Sequence, residues 1–186
     1  MCAQHPVDAA RIAVAGLSAG ASMAALVASL QPQRFKAVVM HSGVAAGTAS
    51  TTLQALSAMR GRRPTPPPAA TAEAMASDWP ALLVIHGSAD HVVAPANGQA
   101  AVQAWADAAG ARASAPRVVQ RGQRYPLTLT DYRARGRSVA TLALVQGLGH
   151  AWSGGAASQP FADVRGPDAS RMVWAFALRQ FVKPAG

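Results

Sequence analysis

The sequence predicts an α/β fold, with a mostly parallel sheet flanked by helices. Two patterns predict it: short apolar runs that stop at a glycine, and longer stretches of helix formers between them. Runs that are apolar at every position suit strands buried on both faces, and strand–helix alternation suits parallel pairing. At 186 residues, 51% hydrophobic and 13% charged, the chain can bury one core and reads as a single domain, residues 1–186.

Taken in order, Arg11 to Ala15 is the first strand, stopped by Gly16. Ala19 to Leu30 is small or apolar throughout and reads as a helix ended by Pro32. Ala37 to Met40 is a second buried strand. Ala45 to Ser77, rich in Ala, Thr and Ser and carrying Pro64 and Pro66 to Pro68, reads as a partly helical excursion with a loop. Ala81 to His86 is the clearest strand, closed by Gly87, and a helix follows across Asn97 to Ala109 with Gly110 just past its end. Leu127 to Arg133 alternates as a strand, Gly136 allows a turn, and Ser138 to Val145 is the last strand before Gly147-Leu148-Gly149. Asp168 to Phe181 is the closing helix, with its aspartate near the positive N-terminus.

Composition argues against several function classes. No stretch approaches the roughly 18 unbroken apolar residues of a membrane span, and Met1 to Pro6 lacks a basic region followed by an apolar one, so no signal peptide is expected in this chain. The net charge of +9 comes from fifteen Arg and two Lys against eight acids. These cations are scattered, dense only at Arg60, Arg62 and Arg63 and from Arg121 to Arg137, and form no basic stripe or RNA- or DNA-binding motif, so no nucleic-acid partner is expected. Cys2 is the one cysteine, which excludes a disulfide within the chain. No cysteine/histidine ligand cluster is present, and neither metal nor organic cofactor is expected.

Gly16-Leu17-Ser18-Ala19-Gly20 is a G-x-S-x-G pentapeptide between a strand and a helix. Such a turn strains the serine backbone, and the glycines on either side let strand and helix approach while the hydroxyl is thrown clear of the sheet. The alternative is a glycine-rich turn whose serine merely caps the helix. A nucleophilic serine needs a base, and five histidines are candidates. His5 precedes the first strand, His41 and His86 sit at strand ends where they could be core or supporting residues, and His91 adjoins Asp90. His150 follows the last strand in a glycine-rich loop able to fold back over Ser18. In the chain order Ser, acid, His, the acid is Asp90, in the loop after the Ala81 strand, although alone it could be a loop aspartate or a helix cap. The carboxylates Asp8, Glu73, Asp78, Asp107, Asp131, Asp163 and Asp168 lack that placement. The backbone N–H of Ala19 is the oxyanion donor this chain offers, whereas His86-Gly87 comes after the nucleophile and leads to the acid instead.

These pieces resemble the esterase family of poly(3-hydroxybutyrate) depolymerases and related feruloyl and acetyl-xylan esterases. The resemblance lies in RIAVAGLSAGASMA (11–24), ALLVIHGSADHVVAPAN (81–97), GLGHAWSGG (147–155) and GPDASRMVWAF (166–176), and the His-Ala-Trp-Ser-Gly-Gly run is its most specific part. It implies an α/β-hydrolase fold with Ser18, Asp90 and His150 as a triad. It also sets Trp152 near substrate, with a core tryptophan beside the loop as the alternative. A small or polymeric ester substrate and an extracellular or periplasmic location are implied too. In that family the nucleophile strand is preceded by further strands and by a loop giving a second oxyanion N–H. On that footing the fold is N-terminally truncated, and the Arg11 to Ala15 strand becomes an exposed apolar sheet edge. The functional expectation is hydrolysis of short-chain esters of the 3-hydroxybutyrate type through an acyl-enzyme. Feruloyl or acetyl-xylan esterase activity, or an inactive fragment of such an enzyme, stands as the alternative. Oligomeric state is not indicated.

Overall fold

The computed structural model describes residues 7–64 and 79–182. Cys2, His5, Glu73, Asp78 and Pro66 to Pro68 lie outside the described residues. In chain order the elements are β1 (Ala13–Leu17), α1 (Ala19–Leu30), β2 (Ala37–His41), α2 (Thr52–Met59), β3 (Ala81–Gly87) and α3 (Ala96–Ala108). There follow β4 (Arg112–Ala113), β5 (Arg117–Val119), β6 (Leu127–Ala134), β7 (Arg137–Val145), β8 (Trp152–Ser153), β9 (Ala162–Asp163) and α4 (Ala169–Phe181).

The main sheet runs β1-β2-β3-β7-β6-β4, with β5 also paired to β6. Its first four strands are parallel, and the β6–β7 hairpin adds an antiparallel flank. Because successive strand residues point to opposite faces, β2 and β3 feed two cores. Val38, Met40, Leu82 and Val84 pack against α1 and α3, while Val39, Leu83 and Ile85 pack against Phe176 and Ala177 of α4. The inward face of α1 is Ala21, Ala24, Ala25 and Ala28, all buried, so this helix lies close to its sheet. Its outward face is also apolar, with Met23, Leu26, Val27 and Leu30 exposed.

Two differences from the sequence reading have physical causes. The first strand does not stop at Gly16 but runs through it to Leu17, in register with Met40 and His41 of β2. A glycine there marks a close approach rather than a strand end. The excursion after β2 contributes α2, capped by the Thr51 side chain accepting the Gln54 N–H. The pairs β4, β5, β8 and β9 are two or three residues long, too short to leave a periodic signal.

Among the described residues β1 pairs with β2 alone, so it is a sheet edge, and its Ala15 is exposed. The Ser18 N–H donates to the His41 carbonyl, and the Ile12 carbonyl accepts the Lys36 N–H. In a parallel ladder the bonding side alternates by residue, so Ala13, Ala15 and Leu17 turn their amides outward. Hydrogen exchange on the monomer is expected to be fast at these three amides and slow across β3. Protection of Ala15 and Leu17 equal to that of Val84 would show the edge to be covered.

Candidate active site

Ser18 sits between the end of β1 and the start of α1 with φ 56° and ψ −122°. A left-handed φ at a residue with a side chain costs about 1–3 kcal/mol and needs its surroundings to enforce it. The enforcement comes from Gly16, where a Cβ would stand 2.3 Å from the carbonyl carbon of Gly20, so the strand end and the first turn of the helix touch backbone to backbone. The space around Gly20 is open, so of the two glycines it is Gly16 that the approach requires. Ser18 occupies the N-cap position of α1 but makes no side-chain cap hydrogen bond, which removes the helix-capping alternative. Its Oγ lies 3.0 Å from His150 Nε2 instead.

Asp90 lies beyond β3 with its carboxylate fully buried. Its Oδ1 accepts the N–H groups of Val92 and Val93 at 3.0 and 2.8 Å, and Oδ2 accepts the Nδ1–H of His150 at 2.8 Å. The cap of α3 is Pro95, so Asp90 is not a helix cap. Burial pushes the carboxyl pKa up, but the His150 hydrogen bond, the Val93 N–H, the charge of His150 and the Val92 N–H outweigh it and leave it below the ordinary value. An ionised Asp90 can only accept, so Nδ1 of His150 carries the proton and Nε2 turns its lone pair toward Ser18. Placed this way, the ring can take the Ser18 proton while the carboxylate stabilises the resulting imidazolium.

The acid and base loops are stitched together. A Cβ on Gly87 would fall 2.1 Å from the Leu148 carbonyl oxygen, so only glycine permits the contact. Ala89 N–H donates to that same carbonyl at 3.0 Å, Ser88 N–H to Val145 at 2.9 Å, and Gly147 N–H to Ser88 Oγ at 2.9 Å.

A profile for the family described as esterase PHB depolymerase matches residues 1–120 of the 186. The chain belongs to this family. Among curated relatives, a probable acetylxylan esterase A of Aspergillus clavatus is 33% identical over 128 residues, covering 63% of this chain and 42% of that protein. Acetylxylan esterase A of Aspergillus oryzae is 32% identical over 124 residues, covering 61% and 40%. The chain thus spans about two fifths of the length of these relatives. Of solved structures, an acetyl xylan esterase from Aspergillus awamori superposes with a TM-score of 0.62 at 22% identity, covering 80% of this chain and 57% of that one. A carboxylesterase from Lactobacillus plantarum gives 0.53 at 17%, covering 96% and 60%. Likeness at this identity is a likeness of fold, and the fold is that of the α/β-hydrolases.

The remaining histidines divide sharply. His91 is exposed, whereas His41 and His86 are fully buried. His86 Nε2 donates to the Val93 carbonyl at 2.9 Å and stands 3.6 Å from Asp90 Oδ2, while its Nδ1 has no hydrogen-bond partner. Burial lowers its pKa; the Val93 carbonyl and Asp90 oppose the shift, and His150 adds to it. Trp152 stacks on His41 and donates its Nε1–H to Ser170 Oγ at 3.1 Å. These contacts tie the tryptophan to His41 and to the start of α4, and the residue is half-buried. Ala19, at the first helical position, has no intrahelical acceptor for its N–H and is exposed. Among the described residues no three His, Cys, Asp or Glu side chains form a metal-binding set. Of the other acids, Asp131 lies in β6, Asp163 in β9 and Asp107 in α3, and Asp168 caps α4 by accepting the Arg171 N–H.

Sequence reasoning missed the part played by Ser42, Gly43 and Ser153. Ser42 has φ 53°, and a Cβ on Gly43 would meet the Ala21 methyl at 2.6 Å, so this turn braces α1 beside the nucleophile. Ser153 is fully buried, with Oγ donating to the Pro167 carbonyl at 2.6 Å. The signal available was the pair of small residues Ser42-Gly43 directly after His41 and the run Ser153-Gly154-Gly155 three residues beyond His150.

Burial holds His41 at a pKa of about 3, with His86 and His150 adding to the shift and Asp90 opposing it. Below the ordinary histidine pKa of about 6.5 the unfolded chain therefore binds protons at His41 and His86 that the folded protein refuses. The contribution of His41 is fully present above about pH 6.5 and falls as pH drops toward 3, by up to about 1.4 kcal/mol per pH unit, and His86, lowered by burial, acts in the same direction. Urea unfolding at pH 7, 6 and 5 is expected to show a falling midpoint. An unchanged midpoint across that range would contradict neutral burial of both rings.

Proposed function

We propose that this chain is the catalytic α/β-hydrolase domain of a serine esterase, hydrolysing short-chain carboxylic esters through an acyl-enzyme. The observation that carries the reading is the relay from Ser18 Oγ through His150 to Asp90, at 3.0 and 2.8 Å, on loops at the C-terminal ends of parallel strands. Ser18 attacks the ester carbonyl as His150 takes its proton, and His150 then protonates the leaving alcohol. Water deprotonated by the same ring releases the acid. The Ala19 N–H, at the positive end of α1, is the donor for the oxyanion, and the half-buried Trp152 borders the substrate.

On substrate, family membership supports esters of the 3-hydroxybutyrate type, small or polymeric. Acetyl groups on xylan are the second reading, supported by the names of the curated relatives. An extracellular or periplasmic location is supported by the family resemblance. Among the described residues no helix is long and apolar enough to cross a membrane.

Hydrolysis of p-nitrophenyl acetate and butyrate by the purified chain tests the assignment. Ser18→Ala is expected to lower kcat by on the order of 10⁶, and Asp90→Asn by about 10⁴, because an amide facing Nδ1 favours the wrong tautomer. Activity equal in Ser18→Ala and the parent, in folded samples, would remove Ser18 as nucleophile. Absence of turnover in the folded parent would mark the chain as a fragment without its own catalysis. Acetate release from acetylated xylan, set against cleavage of 3-hydroxybutyrate oligomers, separates the two substrate readings.

A further inference from the structure

β2 runs between β1 and β3, yet it supplies no group that would act on the ester. His41 ends this strand, fully buried. Its backbone carbonyl accepts the Ser18 N–H at 2.8 Å. Its ring Nε2 accepts the Ser153 N–H at 3.1 Å, and the ring face stacks on Trp152 with centroids 5.1 Å apart and planes inclined by 26°. One residue therefore holds the nucleophile through its main chain and the loop of His150 through its side chain.

The ring is locked in one state. A backbone amide can only donate, so Nε2 must present its lone pair, and Nδ1–H donates to Ser42 Oγ at 3.2 Å. Ser42 is itself fixed to β3, its N–H donating to the Ile85 carbonyl at 2.9 Å. With a pKa near 3, the ring keeps its acceptor through the ordinary pH range. On the far side, the buried Ser153 is pinned to Pro167, so the segment from His150 to Ser153 is held at its end.

We propose that His41 is a positioning residue for the esterase reaction: its ring sets the height of the 150–153 loop over the nucleophile turn that its own carbonyl holds, and thereby the Ser18–His150 distance. The proposal rests on the roles of Ser18 and His150 given above. His41 is buried beneath the site and touches no substrate, so its loss acts on turnover rather than on binding. A displacement of about 1 Å in a reacting pair costs up to roughly 10²-fold.

His41→Phe keeps a ring against Trp152 and removes the acceptor, whereas His41→Gln restores an acceptor near the position of Nε2. Active sites are counted with a p-nitrophenyl phosphonate, so that unfolded molecules drop out of kcat. The expected result is a fall in kcat per titrated site of about 10- to 100-fold for His41→Phe, KM within about three-fold, and recovery of most of the loss in His41→Gln. In parallel, NMR follows the Ser153 amide and the downfield Nδ1 proton of His150. Both are expected to be sharp and protected in the parent and in His41→Gln, and exchanging about ten-fold faster or more in His41→Phe. A kcat per site within two-fold of the parent in His41→Phe, with an unchanged His150 proton, overturns the proposal. If the parent neither turns over nor reacts with the phosphonate, the esterase reading fails, and the NMR comparison alone decides whether His41 positions His150. Should His41→Phe not fold, His41→Asn takes its place, since its shorter amide reaches Ser42 but not Ser153.

Discussion

Ser18 has to stand at φ 56° and ψ −122° for its hydroxyl to be free, and the parts of the fold nearest it hold it there. Relaxed into an ordinary N-cap, the Oγ would accept an N–H from the first turn of α1 and turn away from His150. Two things prevent that relaxation. Gly16 lets β1 meet Gly20 backbone to backbone, and the Ser18 N–H is committed to the His41 carbonyl at 2.8 Å. The all-alanine inner face of α1 belongs to the same constraint, because larger side chains would lift the helix and open the turn.

The electrostatics of the site follow from burying one carboxylate among three imidazoles. Asp90 stays ionised because two backbone N–H groups and the His150 ring replace its lost hydration. His41 and His86 stay neutral because burial disfavours a charge on either, and each occupies a ring nitrogen with a fixed backbone partner. That leaves His150, with 12% of its side chain exposed, as the imidazole of the cluster that hydrogen-bonds both the carboxylate and the serine hydroxyl. The division of labour is one of access: the two fully buried rings brace the loops, and the partly exposed ring makes the relay.

The order of buried strands was legible because Val-, Leu- and Ile-rich runs closed by glycine leave few other readings. The three residues of the relay were legible because each lies within five residues of the end of a strand. The extent of β1 was not, since a glycine that permits close approach looks in sequence like one that ends a strand. The short pairs β8 and β9 were invisible for want of length, and with them the anchoring of Ser153. His41 could be narrowed to a core or supporting residue, but its partner Ser153 is more than a hundred positions away. No local pattern encodes a contact of that span.

The sheet order explains why such anchoring is needed. The nucleophile follows β1 and the base follows β7, three strand spacings apart, or roughly 14 Å. The base loop must therefore lean back across the ends of β3 and β2 before His150 can meet Ser18. It does so on two footholds taken in that order: the Leu148 carbonyl against Gly87 and Ala89 at the end of β3, then the Ser153 N–H on His41 at the end of β2. His150 lies between them. A loop held at one point could swing, whereas a loop held on both sides of its histidine cannot move that ring along the line to Ser18 without breaking a buried hydrogen bond. Of the run His-Ala-Trp-Ser-Gly-Gly, Trp152 and Ser153 make that second foothold, and the histidine two residues before them makes the relay.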